Sequence, residues 1–457
     1  MSALRLAVAV GLTSLTAAAV MAAPDPSKVT FNKDVLPILQ KNCQSCHRPG
    51  EVAPMSLLSY SDARPWAKSI KAAVVARKMP PWMADQNVGH FKNDRTLSAE
   101  DIATLTAWAD NGAVEGDPKD KPAAITFQDG WNIKPDIIVE MPKAFQIPAT
   151  GTINYKYVLV KTNFPRDMWI SSAEMRPGNP KVLHHGKVWV RPPGSHWLEN
   201  AENGEAYENE TQREIIGRNG AEDGNDILGK FNPGLGAQSF DIDGSAKFVP
   251  KGSDLVFELH YTTNGQPTQD ASKIGLVLAK NPPPTRYYFN AGPTASNLAI
   301  PPGDGNAEVV SELTLAQEAK LVYAQPHMHL RGKDFELRLV FPTGETQTVL
   351  KAKWDFEWQM GYELAKPIDM PKGTRMIGIS HFDNSANNRI NPDPAKEVVW
   401  GPQNWDEMSN CFIGVIIPTD VSPESVFKRS GPSLLPRGHS GPTLAALEAA
   451  KTIQNRE

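Results

Sequence analysis

The chain has only three cysteines in 457 residues, Cys43, Cys46 and Cys411. If the first two hold a cofactor, no pair remains for a disulfide framework, even in an exported protein. Excess charge is missing too. A net charge of −4 and a pI near 6.2 supply no basic face for nucleic acid. Beyond the first two dozen residues there is no apolar run long enough to cross a bilayer, so the mature chain should have no membrane span. Histidine is also scarce, with ten in all, and any clustering of them is therefore informative. The 39 prolines and 34 glycines favour loops and short strands over long helices. The length is too great for a single core and calls for several domains.

Residues 1–23 have the layout of a secretory signal. Arg5 gives a weak positive start, Leu6 to Val20 an apolar stretch, and Val20-Met21-Ala22 a small-residue cleavage pattern, with an uncleaved anchor as the alternative. An exported protein, periplasmic or extracellular, is expected.

Residues 24–118 form a first unit, closed by a polar linker over 119–134. Cys43-Gln-Ser-Cys46-His47 is a C-x-x-C-H signature. Two thiols can add to porphyrin vinyl groups while the adjacent histidine takes the iron, giving one covalently bound heme c. Half of a zinc site would read the same way. An amphipathic segment, Phe31 to Gln40, precedes the motif. A helical pattern from Ser98 to Ala109 follows it, with Ser98 as N-cap and Asp101 three residues on. That layout resembles the small all-α cytochrome c fold. Met79 sits in a proline-stiffened loop about thirty residues past His47 and is the preferred second axial ligand. Met55, Met83 and His90 compete with it.

Short β-rich runs separated by Pro, Gly and Asn turns dominate the rest, among them Tyr155–Lys161, Val182–Val190, Leu255–Tyr261, Lys273–Leu278 and Phe412–Ile417. They predict two all-β antiparallel sandwich domains, jelly-roll-like, over 135–285 and 286–420, with a seam at Asn281–Thr285. Ala201 to Gly234 is rich in Glu, Asn and Gly and reads as a polar surface excursion. The tail, 421–457, carries no chemistry in its pattern beyond a short Ala-rich helix at Thr443 to Ile453.

The histidines fall within these strands. His327 and His329 lie two apart, and residues so spaced on a strand share a face. His184 and His185 are adjacent and can meet one metal only at a bulge or strand end, which Gly186 permits. His260 ends an alternating run and offers a third imidazole. Three neutral imidazoles suit copper or zinc, whereas two imidazoles with the thioether of Met408 favour Cu(I). Singly, each of these histidines would more simply be a hydrogen-bonded core residue. His381 is read as structural or as support to the ligands.

Leu183-His-His-Gly186, Glu258-Leu-His-Tyr261, Pro326-His-Met-His-Leu-Arg-Gly-Lys333 and Asp406-Glu-Met-Ser-Asn410 occur in the order seen in the copper type II monooxygenases. The chain resembles that family, which includes peptidylglycine α-hydroxylating monooxygenase and dopamine β-monooxygenase. The resemblance implies two copper ions. An electron-transfer copper would be held by His184, His185 and His260, and an oxygen-activating copper by His327, His329 and Met408. It also implies that O2 and a small-molecule or peptide substrate are partners, together with an electron donor to the heme. The family's disulfide cysteines are missing, and a fused cytochrome stands where the animal enzymes use ascorbate. No motif carries over the substrate-binding residues, so peptide amidation is not implied.

The expected function is thus C–H hydroxylation fed through the heme. A heme held by His and Met has no open position for O2 and would act as carrier. Two rival readings stand beside it: a heme- and copper-binding electron-transfer protein without oxygenase activity, and a zinc hydrolase on the three-histidine site.

Overall fold

The structure is a computed structural model that describes residues 26–127, 130–208, 226–401 and 403–428. The expected signal (1–23) and the expected helix at 443–453 lie outside the described residues. Among the described residues, no helix is long and apolar enough to cross a membrane.

Short helices occupy the N-terminal part. A π-turn at Phe31–Val35 runs into a helix at Leu36–Asn42, and further helices span Tyr60–Ala63, Ala67–Val75 and Ala99–Asp110. The last begins where the sequence predicts, because the Ser98 hydroxyl accepts the Asp101 N–H at 3.0 Å and so satisfies one of the open donors of the first turn. Their apolar faces meet in a small core around Phe31, Leu36, Leu39, Leu105 and Trp108, against which Cys43 and Met55 also pack.

The segment between the helices behaves differently. Ala84 pairs with Ala352 and Phe91 with Leu364, while Trp82, Phe91 and Tyr362 form a cluster of edge-on and tilted rings. Met83 packs there as well, so this stretch belongs to the core of the second β-sandwich although the helices on either side do not.

The remainder is mostly antiparallel sheet in face-packed layers. In the first sandwich one layer runs Ala206–Tyr207, Lys156–Val160, Asp254–Tyr261, Leu183–Arg191, Asp226–Phe231. The facing layer runs Ile137–Glu140, Lys273–Leu278, Met168–Arg176, Ser245–Val249. The second layer does not stop at the predicted seam. Ser245–Val249 pairs in parallel with Thr285–Thr294 through Ser245–Thr285 and Ala246–Arg286, and the sheet continues through Asn410–Pro418, Ala319–His327 and Tyr362–Met370. A five-stranded sheet that includes Gly332–Val340 and Arg375–Phe382 covers that half.

The polar excursion expected over 201–234 is corrected in part. Asp226–Phe231 is a buried strand paired with Leu183–Arg191. Its two charged residues conceal it in the sequence. Asp226 pairs with buried Lys247 and accepts the Phe289 N–H at 3.1 Å, and Lys230 finds acceptors in the second sandwich. A carboxylate paired in this way can be buried, and burial pushes Lys230, which has only neutral acceptors, well below the ordinary lysine range.

A candidate metal centre between two sheets

His184 and His185 lie in the strand Leu183–Arg191, and His260 in its neighbour Asp254–Tyr261. Across that pair His260 sits opposite His185, but Tyr261 sits opposite Leu183, so His184 is the extra residue of a bulge. The bulge turns two consecutive side chains to one side. As a result all three imidazoles offer ligand atoms within 4.8 Å of one another.

The nitrogens are arranged for an ion. His184 Nδ1 and His185 Nδ1 face each other at 3.2 Å. Two ligands on a tetrahedral ion with bonds of about 2.0 Å are separated by about 3.3 Å. His260 Nδ1 is buried with no hydrogen-bond partner. Tyr155, just ahead of the strand Lys156–Val160, supports the group. Its hydroxyl is 2.7 Å from His185 Nε2, and its ring stacks on His260 at 4.5 Å. Phe356 stacks on His184 at 5.0 Å.

His327 ends the strand Ala319–His327, and His329 follows two residues later. His327 Nδ1–H donates to Gln359 Oε1 at 2.8 Å, and His329 Nδ1–H donates to the Asp406 carbonyl at 3.3 Å. Those acceptors hold the proton on Nδ1 and leave each Nε2 lone pair for a ligand. His329 Nε2 is buried and unpartnered. The register places Asn410 opposite His327, and Met408 lies two residues before it, with the Asn410 amide 3.6 Å from its sulfur. Glu407 ties these parts together. Its carboxylate accepts the backbone N–H groups of His329 at 2.7 Å, Arg331 at 2.6 Å and Met408 at 3.3 Å.

Burial pushes all five imidazoles below the ordinary histidine range, His260 to about 3 and His329 to about 4. They are therefore neutral, which is the form that binds metal. Burial pushes the Glu407 carboxyl up to about 8. The two clusters also meet, since the rings of His185 and His327 lie 6.1 Å apart, centroid to centroid.

His381 is not part of this assembly. It sits on the strand Arg375–Phe382 of the covering sheet, with Nδ1 2.7 Å from Asp334 and Nε2 3.7 Å from Glu308. Around the C-x-x-C-H segment, the N–H groups of Cys46 and His47 return to the Cys43 carbonyl at 3.1 and 2.9 Å, and both thiols are free. Burial holds the Cys43 thiol at about 12 and lowers His47. Met79 lines a cavity of about 1090 Å³ together with Leu97, Ile102, Trp358 and His381. Of its competitors, Met83 lines the same cavity, Met55 packs in the helical core, and the His90 carbonyl accepts the Ala365 N–H.

From the sequence Tyr155 stands only as the start of a β-run and Glu407 only as part of a motif, and Gln359 is not singled out at all. A tyrosine ahead of a strand looks like packing, and a glutamine 32 residues from the histidine it serves has no local signal.

No known protein family and no curated protein matches the chain. Similar solved structures include that of infectious bursal disease virus Gt strain, at 10% identity and TM-score 0.17 over 74% of this chain and 90% of that one. Another is PBCV-1 VP54 fitted into a reconstruction of the virophage Sputnik, at 9% and 0.22 over 66% and 98%. A third is the tandem CBM22 domain of Paenibacillus barcinonensis Xyn10C, at 10% and 0.16 over 62% and 93%. At such TM-scores these likenesses carry no argument.

Proposed function

We propose that the chain is an exported copper-dependent monooxygenase of the copper type II kind, supplied with electrons through its own c-type cytochrome unit. The observation that carries this reading is the pair of histidine clusters, with His260 Nδ1 and His329 Nε2 buried and unpartnered and the His184 and His185 nitrogens one tetrahedral edge apart. A buried polar atom without a partner is costly, and a metal ion removes that cost.

His184, His185 and His260 would hold one copper, and His327, His329 and Met408 the other. Cys43 and Cys46 would tether the porphyrin, with His47 and Met79 on the iron. Ile102 lines the cavity beside Met79 and also packs on the helical core that Cys43 packs against, while Cys46 lines a separate cleft with Arg176 and Phe231. When bound, these groups supply one-electron storage and activation of dioxygen. The protein's own contribution is positional. Tyr155 orients His185, Gln359 and the Asp406 carbonyl set the tautomers of His327 and His329, and Glu407 aligns the backbone of His329 with that of Met408.

A second reading, a heme and copper electron-transfer protein without oxygenase activity, draws on one observation. The space between His185 and His327 is only about 20 Å³, room for a single water and not for a substrate. Metal analysis of the exported protein should find two coppers and one heme, followed by O2 uptake coupled to a hydroxylated product in a substrate screen. Met408→Ala should abolish hydroxylation and leave the heme spectrum intact. Full activity in that variant sinks the assignment, and copper with no O2 uptake for any substrate favours the second reading.

A further inference from the structure

The first sandwich carries a cleft of its own, at the end of its sheets away from the histidines. The strand Lys156–Val160 starts next to Tyr155, which touches His185, and ends at Val160, roughly 17 Å further on at about 3.4 Å per residue. At that end residues of both layers line a cleft of about 510 Å³, within the range of about 300–1,000 Å³ usual for small-molecule sites. Val160, Phe164 and Met168 are buried in its wall, and Ile137, Ile138 and Leu278 also line it. The walls are held in place. The strand Ile137–Glu140 is paired along its length with Lys273–Leu278. The loop after Val160 is pinned at three points. The Thr162 hydroxyl donates to the Ser253 carbonyl at 2.6 Å, the Phe164 carbonyl accepts the Gly252 N–H at 2.9 Å, and the Asp167 carboxylate accepts the Lys251 N–H at 2.7 Å. The rim is unevenly charged. Lys161 and Arg166 are both exposed there, and neither makes an ion pair among the described residues. Glu140 is the one carboxylate in the lining.

We propose that this cleft binds a monomeric long-chain carboxylate, with the hydrocarbon chain on Val160, Phe164, Met168 and Ile138 and the head group between Lys161 and Arg166. Neither metal nor heme enters this site. Apolar walls favour the chain in proportion to the area it buries, and each added CH2 should tighten binding about fourfold. Ile138 is 52% exposed, and a bound chain covers it. Two unpaired cations against a single carboxylate select a negative head group over a neutral or positive one.

The test is isothermal titration of the full chain with sodium octanoate, decanoate and dodecanoate, each kept below its micelle concentration. Decanol and decyltrimethylammonium serve as the neutral and positive heads on a chain matched to decanoate. One site per chain is expected, tightening with chain length and preferring decanoate over the other two heads. Lys161→Glu combined with Arg166→Glu should weaken decanoate about tenfold and strengthen decyltrimethylammonium. Both side chains are exposed, so the exchange leaves the core alone. Ile138→Asp, also at an exposed position, should weaken all three carboxylates and flatten the dependence on chain length. A thermal melt of each variant checks that the fold is kept. Four results overturn the site: no binding of dodecanoate, equal affinity for the three heads, many weak sites in place of one, or unchanged affinity in both variants.

Discussion

The hydroxyl of Tyr155 lies 2.7 Å from His185 Nε2. With Nδ1 of His185 turned toward His184, the phenol is the fixed point that decides which ring nitrogen faces the cluster. Tyr155→Phe keeps the stack on His260 and deletes only that contact. Outer hydrogen bonds of this kind commonly change metal affinity by about 10–100-fold. Competition titration with copper should show a loss of that order at the three-histidine site and none at the His327 site. Unchanged affinity at both would remove Tyr155 from the centre.

The metal-free protein should lose stability in mild acid. Burial depresses the folded-state values of His260 and His329 to about 3 and about 4, against an ordinary 6.5. Between those limits the unfolded chain binds more protons than the folded one, so stability is full above about pH 6.5 and falls steadily toward pH 3. Denaturant midpoints measured across that range should decline. A His260→Gln and His329→Gln double variant should show a flatter decline.

Met79 can be separated from its competitors electrochemically. A methionine on heme iron raises the potential relative to histidine. Met79→His should lower the heme midpoint potential, whereas Met55→Leu and Met83→Leu should leave it in place. A fall with Met55→Leu instead would move the axial ligand to the helical core.

Gly361 has no room for a side chain, because a Cβ there would overlap the Tyr323 hydroxyl. Gly361→Ala should cost about 1–3 kcal/mol, as overpacked cores do. Calorimetry would read this as a lowered unfolding temperature. A neutral effect would show that Tyr323 is free to move.

The elements that carry the histidines were legible because the signals are local. The strand runs around His184, His260 and His327 alternate or bulge within a few residues, and Ser98 caps its helix from three residues away. What stayed hidden depends on partners far along the chain. The strand Asp226–Phe231 looks like a polar loop until Lys247, 21 residues on, pairs with its carboxylate and Tyr323, 93 residues on, accepts from its lysine. The Trp82–Asn93 segment looks like part of the helical unit, yet its hydrogen-bond partners are Gly361 and Glu363, about 270 residues away. Periodicity reports which face of an element is apolar. It does not report which distant surface will cover that face.

The shared sheet has a consequence for dissecting this protein. Thr285–Thr294 pairs with strands of both halves, and the Asp226 carboxylate on one side accepts a backbone N–H from Phe289 on the other. A cut at the proline run before Thr285 therefore leaves each fragment with a bare strand edge, and Asp226 without one of its donors. Raw edges of that kind recruit other chains. The halves should aggregate when expressed singly and recover only when produced together, so this molecule has to be engineered as one piece.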